Sequence, residues 1–68
     1  MKTVDARGLS CPQPVILAKQ AIQAGQFPMQ VLVDTVTSRE NVRRMAVKAG
    51  CKVAVDQSGD EFKLTLSK

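Results

Sequence analysis

The sequence predicts an α+β fold, a two-layer α/β sandwich of order βαβαββ with a mixed four-stranded sheet and both helices on one of its faces. Three observations predict it. Apolar residues recur at helical spacing in two segments, each closed by a glycine. Four short segments carry the apolar runs or two-residue alternation of strands. The chain has 68 residues, and at roughly 100–200 residues per domain that is one domain, 1–68, with a single core.

Residues 2–6 alternate weakly about Val4 and form the first strand, followed by the loop Arg7-Gly8-Leu9-Ser10. The first helix opens with Pro12 at its first position, where the fixed φ suits helix entry and the missing N–H costs nothing, so Cys11 falls at the N-cap. Val15, Ala18 and Ile22, supported by Leu17 and Ala21, give this helix its inner face, and Gly25 stops it. Residues 30–34 contain the run Val31-Leu32-Val33 of a central strand.

Thr37, with Glu40 three residues later, fits a capping box for the second helix. Val42, Met45, Ala46 and Ala49 share one face of that helix before Gly50 ends it. Residues 51–56 and 61–66 alternate as strands around the turn Gln57-Ser58-Gly59-Asp60. Right-handed crossovers stepping the same way put both helices on one face. Val4, Val31, Val33, Val53, Val55, Phe62, Leu64 and Leu66 then face the helices, while Leu32 points to the open face.

Composition narrows the function. With 44% apolar and 24% charged residues the chain is globular rather than disordered. No apolar run approaches the ~18 residues of a membrane span, and the N-terminus has no secretion-signal pattern, so the protein is read as cytosolic with its thiols reduced. Cys11 and Cys51 therefore serve chemistry or packing rather than a structural bridge. Histidine is absent, which excludes His-based triads, Cys/His dyads and most zinc sites, and no cofactor or metal is expected. A net charge of +4 suggests an acidic partner. Only Phe27 and Phe62 could stack bases, which disfavours direct nucleic-acid binding.

The chemistry concentrates at Cys11. A cysteine at an N-cap forgoes the capping energy of Ser, Thr, Asp or Asn, a local conflict expected at functional sites. The helix N-terminus favours the thiolate by about 0.3–1 kcal/mol, and Arg7 and Lys19 are near enough in sequence to add positive potential. Pro12 and Pro14 remove two of the N–H donors that could otherwise reach the sulfur, so the expected thiol is exposed and only moderately activated. Without His or a C-x-x-C partner it is not equipped for dithiol redox work or assisted hydrolysis. Thiol-to-thiol group transfer remains, and a persulfide fits that role.

The segment Val4-Asp5-Ala6-Arg7-Gly8-Leu9-Ser10-Cys11-Pro12-Gln13-Pro14 resembles the D-x-R-G-x-x-C-P-x-P signature of the TusA-like (SirA/YedF-like) sulfur-carrier proteins. The resemblance covers nearly the whole chain and implies the same βαβαββ sandwich. It implies that Cys11 receives sulfane sulfur as a persulfide from a cysteine desulfurase-like donor and relays it to an acceptor protein, for example towards tRNA thiolation or cofactor synthesis. Asp5, Arg7, Gly8, Pro12 and Pro14 are the supporting motif residues. Residues 33–44 resemble the YedF branch, associated with selenium metabolism, more than the branch with an Asp-Asp-Pro-Ala run. Proteins of the YedF branch often carry a second domain.

Arg39, Arg43, Arg44 and Lys48 lie on the polar side of the second helix. They read either as a solvated face or, with Lys19, as a docking surface that steers a transient acidic partner. Cys51 shares the parity of Val53 and Val55 and reads as core, with a relay thiol as the alternative. Asp5 and Asp34 are assigned to loop hydrogen bonding, because carboxylates beside a thiolate would oppose its ionisation. Met29 and Met45 read as core fillers. The competing function is a basic protein- or RNA-binding regulatory module in which the cysteine is incidental. Donor, acceptor, chalcogen and oligomeric state are left open.

Overall fold

The computed structural model describes residues 2–10, 12–25 and 27–68. The elements are β1 (Lys2–Asp5), α1 (Gln13–Gln23), β2 (Met29–Val33), α2 (Val36–Lys48), β3 (Lys52–Ser58) and β4 (Glu61–Ser67), in the predicted βαβαββ order. The sheet order is β1-β2-β4-β3, with β1 parallel to β2 and the other two pairs antiparallel. Both crossovers start from the same end of the sheet. Loop residues 7–10 and the start of α2 therefore lie together at the carboxyl ends of β1 and β2.

Register fixes the buried face. Val4 pairs with Val31, and across the β2–β4 ladder Met29 pairs with Leu66, Val31 with Leu64, and Val33 with Phe62. These side chains meet Ala18, Val42 and Ala46, which are fully buried on the helices. Alanines at these positions let the helices approach the sheet closely. Met29 is fully buried and Met45 packs on the edge of the core. Leu32, of opposite parity, is only partly covered on the open face. Val55 departs from the expectation that it faces covered core. It pairs with Leu64 but remains 40% exposed, because β3 is the outermost strand and has a neighbour on one side only.

Both helix starts shift from the predicted positions. Pro12 is the N-cap of α1 rather than its first residue, its carbonyl accepting from Ile16 N–H at 3.1 Å, and Pro14 occupies the second helical position. The inner face turns accordingly, burying Pro14, Ala18 and Ala21, with Val15, Leu17 and Ile22 at its margin. The N-cap place expected for Cys11 is therefore taken by its neighbour Pro12, and Cys11 itself lies outside the described residues. In α2 the cap is Thr35 rather than Thr37: its side chain accepts from Ser38 N–H at 3.0 Å. Glu40, the expected capping-box partner, turns to Arg39 and Arg43 instead.

The end of α2 explains where Cys51 goes. Gly50 adopts φ +88, a left-handed conformation that only glycine takes without strain. Its N–H then donates to Val47 carbonyl, and Cys51 N–H donates to Ala46 carbonyl, both at 3.0 Å. This double closure satisfies two helix-end carbonyls and folds Cys51 back beneath the helix. Cys51 is free and buried, 7% exposed. The turn between β3 and β4 is tighter than predicted, since Ser58 pairs with Glu61 and only Gly59 and Asp60 lie outside the ladder.

Candidate functional site

Residues 7–10 leave the end of β1, and four side chains fasten their start. Ala6 N–H donates to Leu32 carbonyl at 2.8 Å, so the backbone of β1 is still tied to β2 one residue beyond the strand. Asp5 then accepts from Arg7 three times: from the backbone N–H at 3.1 Å, from Nε at 2.9 Å and from Nη2 at 2.8 Å. The other arm of the Arg7 guanidinium donates to Glu61 at 3.1 Å. Gly8 N–H donates to the Asp34 carboxylate at 2.8 Å, joining the loop to the end of β2.

Gly8 is the hinge of this arrangement. Its φ of +77 aims its N–H at Asp34 while the chain turns away towards α1, and no atom lies where a Cβ would stand. Glycine is required there by backbone conformation and not by crowding. Beyond it Gln13 N–H donates to Ser10 carbonyl at 2.9 Å, closing a turn into the helix. Leu9, Ser10, Pro12 and Gln13 are exposed. Ser10 and Pro12 flank Cys11 in sequence, and Cys11 itself lies outside the described residues.

The electrostatics of this loop differ from a simple cationic environment. The Arg7 guanidinium holds the Asp5 carboxyl well below its ordinary value, from 3.8 to about 2, first through its side-chain hydrogen bonds and then through the Arg7 backbone N–H. Asp5 and Glu61 in turn push the Arg7 guanidinium further towards its protonated form. Arg7 is thus a clamp between two carboxylates, and its positive charge is offset where it stands. Asp5, Arg7 and Gly8 all take part in fastening the loop.

Sequence reasoning missed Glu61. It lies 54 positions from Arg7, and nothing local to either residue connects them. The signal is topological: β4 runs antiparallel to β2 with Phe62 opposite Val33, so the residue before Phe62 emerges beside the β2 end where the loop begins.

The predicted docking cations divide into two groups. Arg43 forms a two-point pair with Glu40 at 3.0 and 3.2 Å, and Arg39 sits 3.4 Å from the same carboxylate with its guanidinium 4.8 Å from the centre of the Phe62 ring. These contacts hold Glu40 below its ordinary carboxylate range, Arg43 first among them. Lys19, Arg44 and Lys48 instead line the groove between α1 and α2. Among the described residues no group of three or more His, Cys, Asp or Glu could hold a metal, and no helix is long and apolar enough to cross a membrane.

The sequence of residues 2–68 matches the family described as Sulfurtransferase TusA. The chain belongs to the TusA sulfurtransferase family. Its fold is similar to the crystal structure of a SirA-like protein from Desulfitobacterium hafniense, with 34% sequence identity over 97% of this chain and 95% of that one, and a TM-score of 0.87. A comparison with curated proteins gave no match. Membership of the TusA family supports a sulfur-carrier role exercised together with partner proteins. The motif glycine and its neighbours Asp5 and Arg7 are the residues that brace the loop leading to Cys11.

Proposed function

We propose that this protein is a sulfur carrier that works in the cytoplasm and holds its cargo as a persulfide on Cys11. The Cys11 thiolate attacks the outer sulfur of a donor persulfide, forming a new S–S bond while the donor's own S–S bond breaks and its cysteine leaves as a thiolate. The same exchange in reverse sense delivers the sulfur: an acceptor thiolate attacks the outer sulfur on Cys11 and Cys11 departs as thiolate. Each step conserves sulfur, protons and electrons, so no oxidant or reductant is consumed.

The observation that carries this reading is the braced loop. Asp5, Arg7 and Gly8, with Asp34 and Glu61, lock the chain just ahead of Cys11, while Ser10 and Pro12 on either side are exposed. Pro12 and Pro14 stiffen the entry to α1 from the other side and supply no N–H to quench the sulfur. A braced backbone with solvent-facing neighbours suits a thiol that must enter the active site of a cysteine desulfurase-like donor and then that of an acceptor. Such encounters are transient and require the group to be presented rather than enclosed.

The test is direct transfer. The protein is incubated with a cysteine desulfurase and free cysteine, then analysed by intact mass and peptide mapping. One added sulfur on the peptide containing Cys11, removed by a reducing thiol and absent from Cys11→Ser, is the expected result. Sulfur on Cys51 instead, or none on a folded protein that is charged by no desulfurase, refutes the proposal.

A further inference from the structure

The groove between the carboxyl-terminal halves of α1 and α2 has a character that the thiol loop does not explain. It is an open trough of about 520 Å3 lined by Lys19, Ile22 and Gln23 from α1, by Arg44, Met45 and Lys48 from α2 and by its C-cap Ala49. Its floor is apolar and its rim carries three cations. No carboxylate lines it: α1 contains none, and the only one in α2, Glu40, is engaged with Arg39 and Arg43. Arg7, Arg39 and Arg43 each have an anionic partner, whereas Lys19, Arg44 and Lys48 have none among the described residues.

We propose that this groove docks an acidic amphipathic segment of a protein partner, one that lays an apolar side chain on Ile22 and Met45 and sets carboxylates against Lys19, Arg44 and Lys48. Charge complementarity names the occupant. Three unpaired cations around an apolar floor match a segment in which acidic residues flank a hydrophobic one. Met45, unbranched and at the margin of the core, can repack around different apolar groups. The helix carboxyl termini here carry partial negative charge, which favours the lysines and arginine in place but leaves an outward excess of positive charge. No aromatic ring lines the groove, so it lacks the stacking surface by which single-stranded nucleic acid is held.

Its position adds to the argument. Along α1, Ile22 is roughly 15 Å from Pro12 at about 1.5 Å per residue, so a segment bound in the groove leaves the thiol loop uncovered. A partner could hold the carrier here and still reach residues 7–10 with its reacting centre. The proposal rests on the carrier reading only for what that partner does; the binding itself does not involve Cys11.

The probe is a synthetic helical peptide with Glu residues flanking spaced Leu residues, titrated into the isotopically labelled full chain and followed by amide chemical shifts. The expected result is shifts confined to the residues that line the groove, Lys19, Ile22, Arg44, Met45 and Lys48 foremost, with affinity falling severalfold as salt is raised from about 0.05 to about 0.3 M. Lys19→Glu/Arg44→Glu/Lys48→Glu is expected to weaken binding at least about tenfold, while Lys2→Glu/Lys52→Glu/Lys63→Glu, with the same change in net charge, leaves it within about twofold. The amide spectrum of each variant verifies its fold, and Arg44→Gln alone, expected to weaken binding about threefold, serves if the triple variant does not fold. No binding, equal binding of a peptide with Gln for Glu, shifts centred on residues 7–10, or preferential filling of the groove by an RNA oligonucleotide or anionic vesicles overturns the proposal. Cys11→Ser is expected to bind the peptide unchanged, so a failed sulfur transfer and a failed docking are told apart.

Discussion

Arg7 donates to the carboxylate of Glu61 at 3.1 Å, across 54 positions of sequence, and thereby ties the loop ahead of Cys11 to the first residue of β4. The same guanidinium grips Asp5, so a single side chain connects the end of β1 to the start of β4 on the far side of β2. This pairing fastens the loop to two strands rather than to β1 alone.

The clamp has a pH signature. A carboxylate held below its ordinary value contributes to folding fully above that value, and its contribution is lost as pH falls through the folded-state value. For Asp5 the window therefore runs from the ordinary 3.8 down to about 2. Carbon-detected NMR titration is expected to give an Asp5 midpoint near 2, returning towards 3.8 in Arg7→Gln. An unchanged midpoint in that variant would remove Arg7 as the cause.

The Gly8–Asp34 hydrogen bond is tested by exchange. Asp34→Ala removes the acceptor 2.8 Å from Gly8 N–H without touching the core. The Gly8 amide is expected to exchange about tenfold faster, corresponding to ~1.4 kcal/mol, at the upper end of the range of ordinary hydrogen bonds, as suits an exposed one. Core amides such as Leu64 should keep their protection. Gly8→Ala acts differently, imposing about 1–2 kcal/mol of backbone strain at φ +77 with no clash.

The two threonines at the start of α2 separate the observed cap from the predicted one. Thr35→Ala is expected to lower stability by about 1 kcal/mol in urea denaturation, because Ser38 N–H loses its acceptor. Thr37→Ala, an exposed substitution inside the helix, should change it by less than about 0.5 kcal/mol. Equal losses at both positions would argue against Thr35 as the cap.

Cys51 should behave as core. Under native conditions an alkylating reagent is expected to leave it unmodified and to label it only when denaturant opens the domain, as read by peptide mass mapping. Cys51→Ser places a hydroxyl in that apolar site and is expected to cost about 1–3 kcal/mol, whereas Cys51→Ala costs less. Rapid native labelling of Cys51 would reopen a relay role for it.

Much of this architecture was legible in residue spacing. The alternation of Phe62, Leu64 and Leu66 and the helical recurrence of Val42 and Ala46 identify their elements because burial repeats with the period of each backbone. Caps are less legible. Thr37-x-x-Glu40 matches the sequence pattern, but Thr35 holds the extended conformation a cap needs, and Arg43 and Arg39 compete for Glu40. The sequence presents the basic face as one surface, although Arg39 and Arg43 are four apart on one side of α2 and Arg44 and Lys48 are four apart on another. Only the packing of α1 shows that Lys19 joins the second pair. The Arg7–Glu61 pair was beyond reach, since strand order decides it and no local pattern encodes strand order. The exposure expected of Cys11 falls outside the described residues.

The rims of the sheet carry a last consequence. One is the four-residue β1, too brief to template a long ladder, and the other is β3, whose outer half reads Asp56, Gln57 and Ser58. Short or polar margins make poor seeds for cross-chain pairing, so crowded copies gain little by zipping together. A sheet bounded in this way ends with its own strands rather than extending into a neighbouring copy.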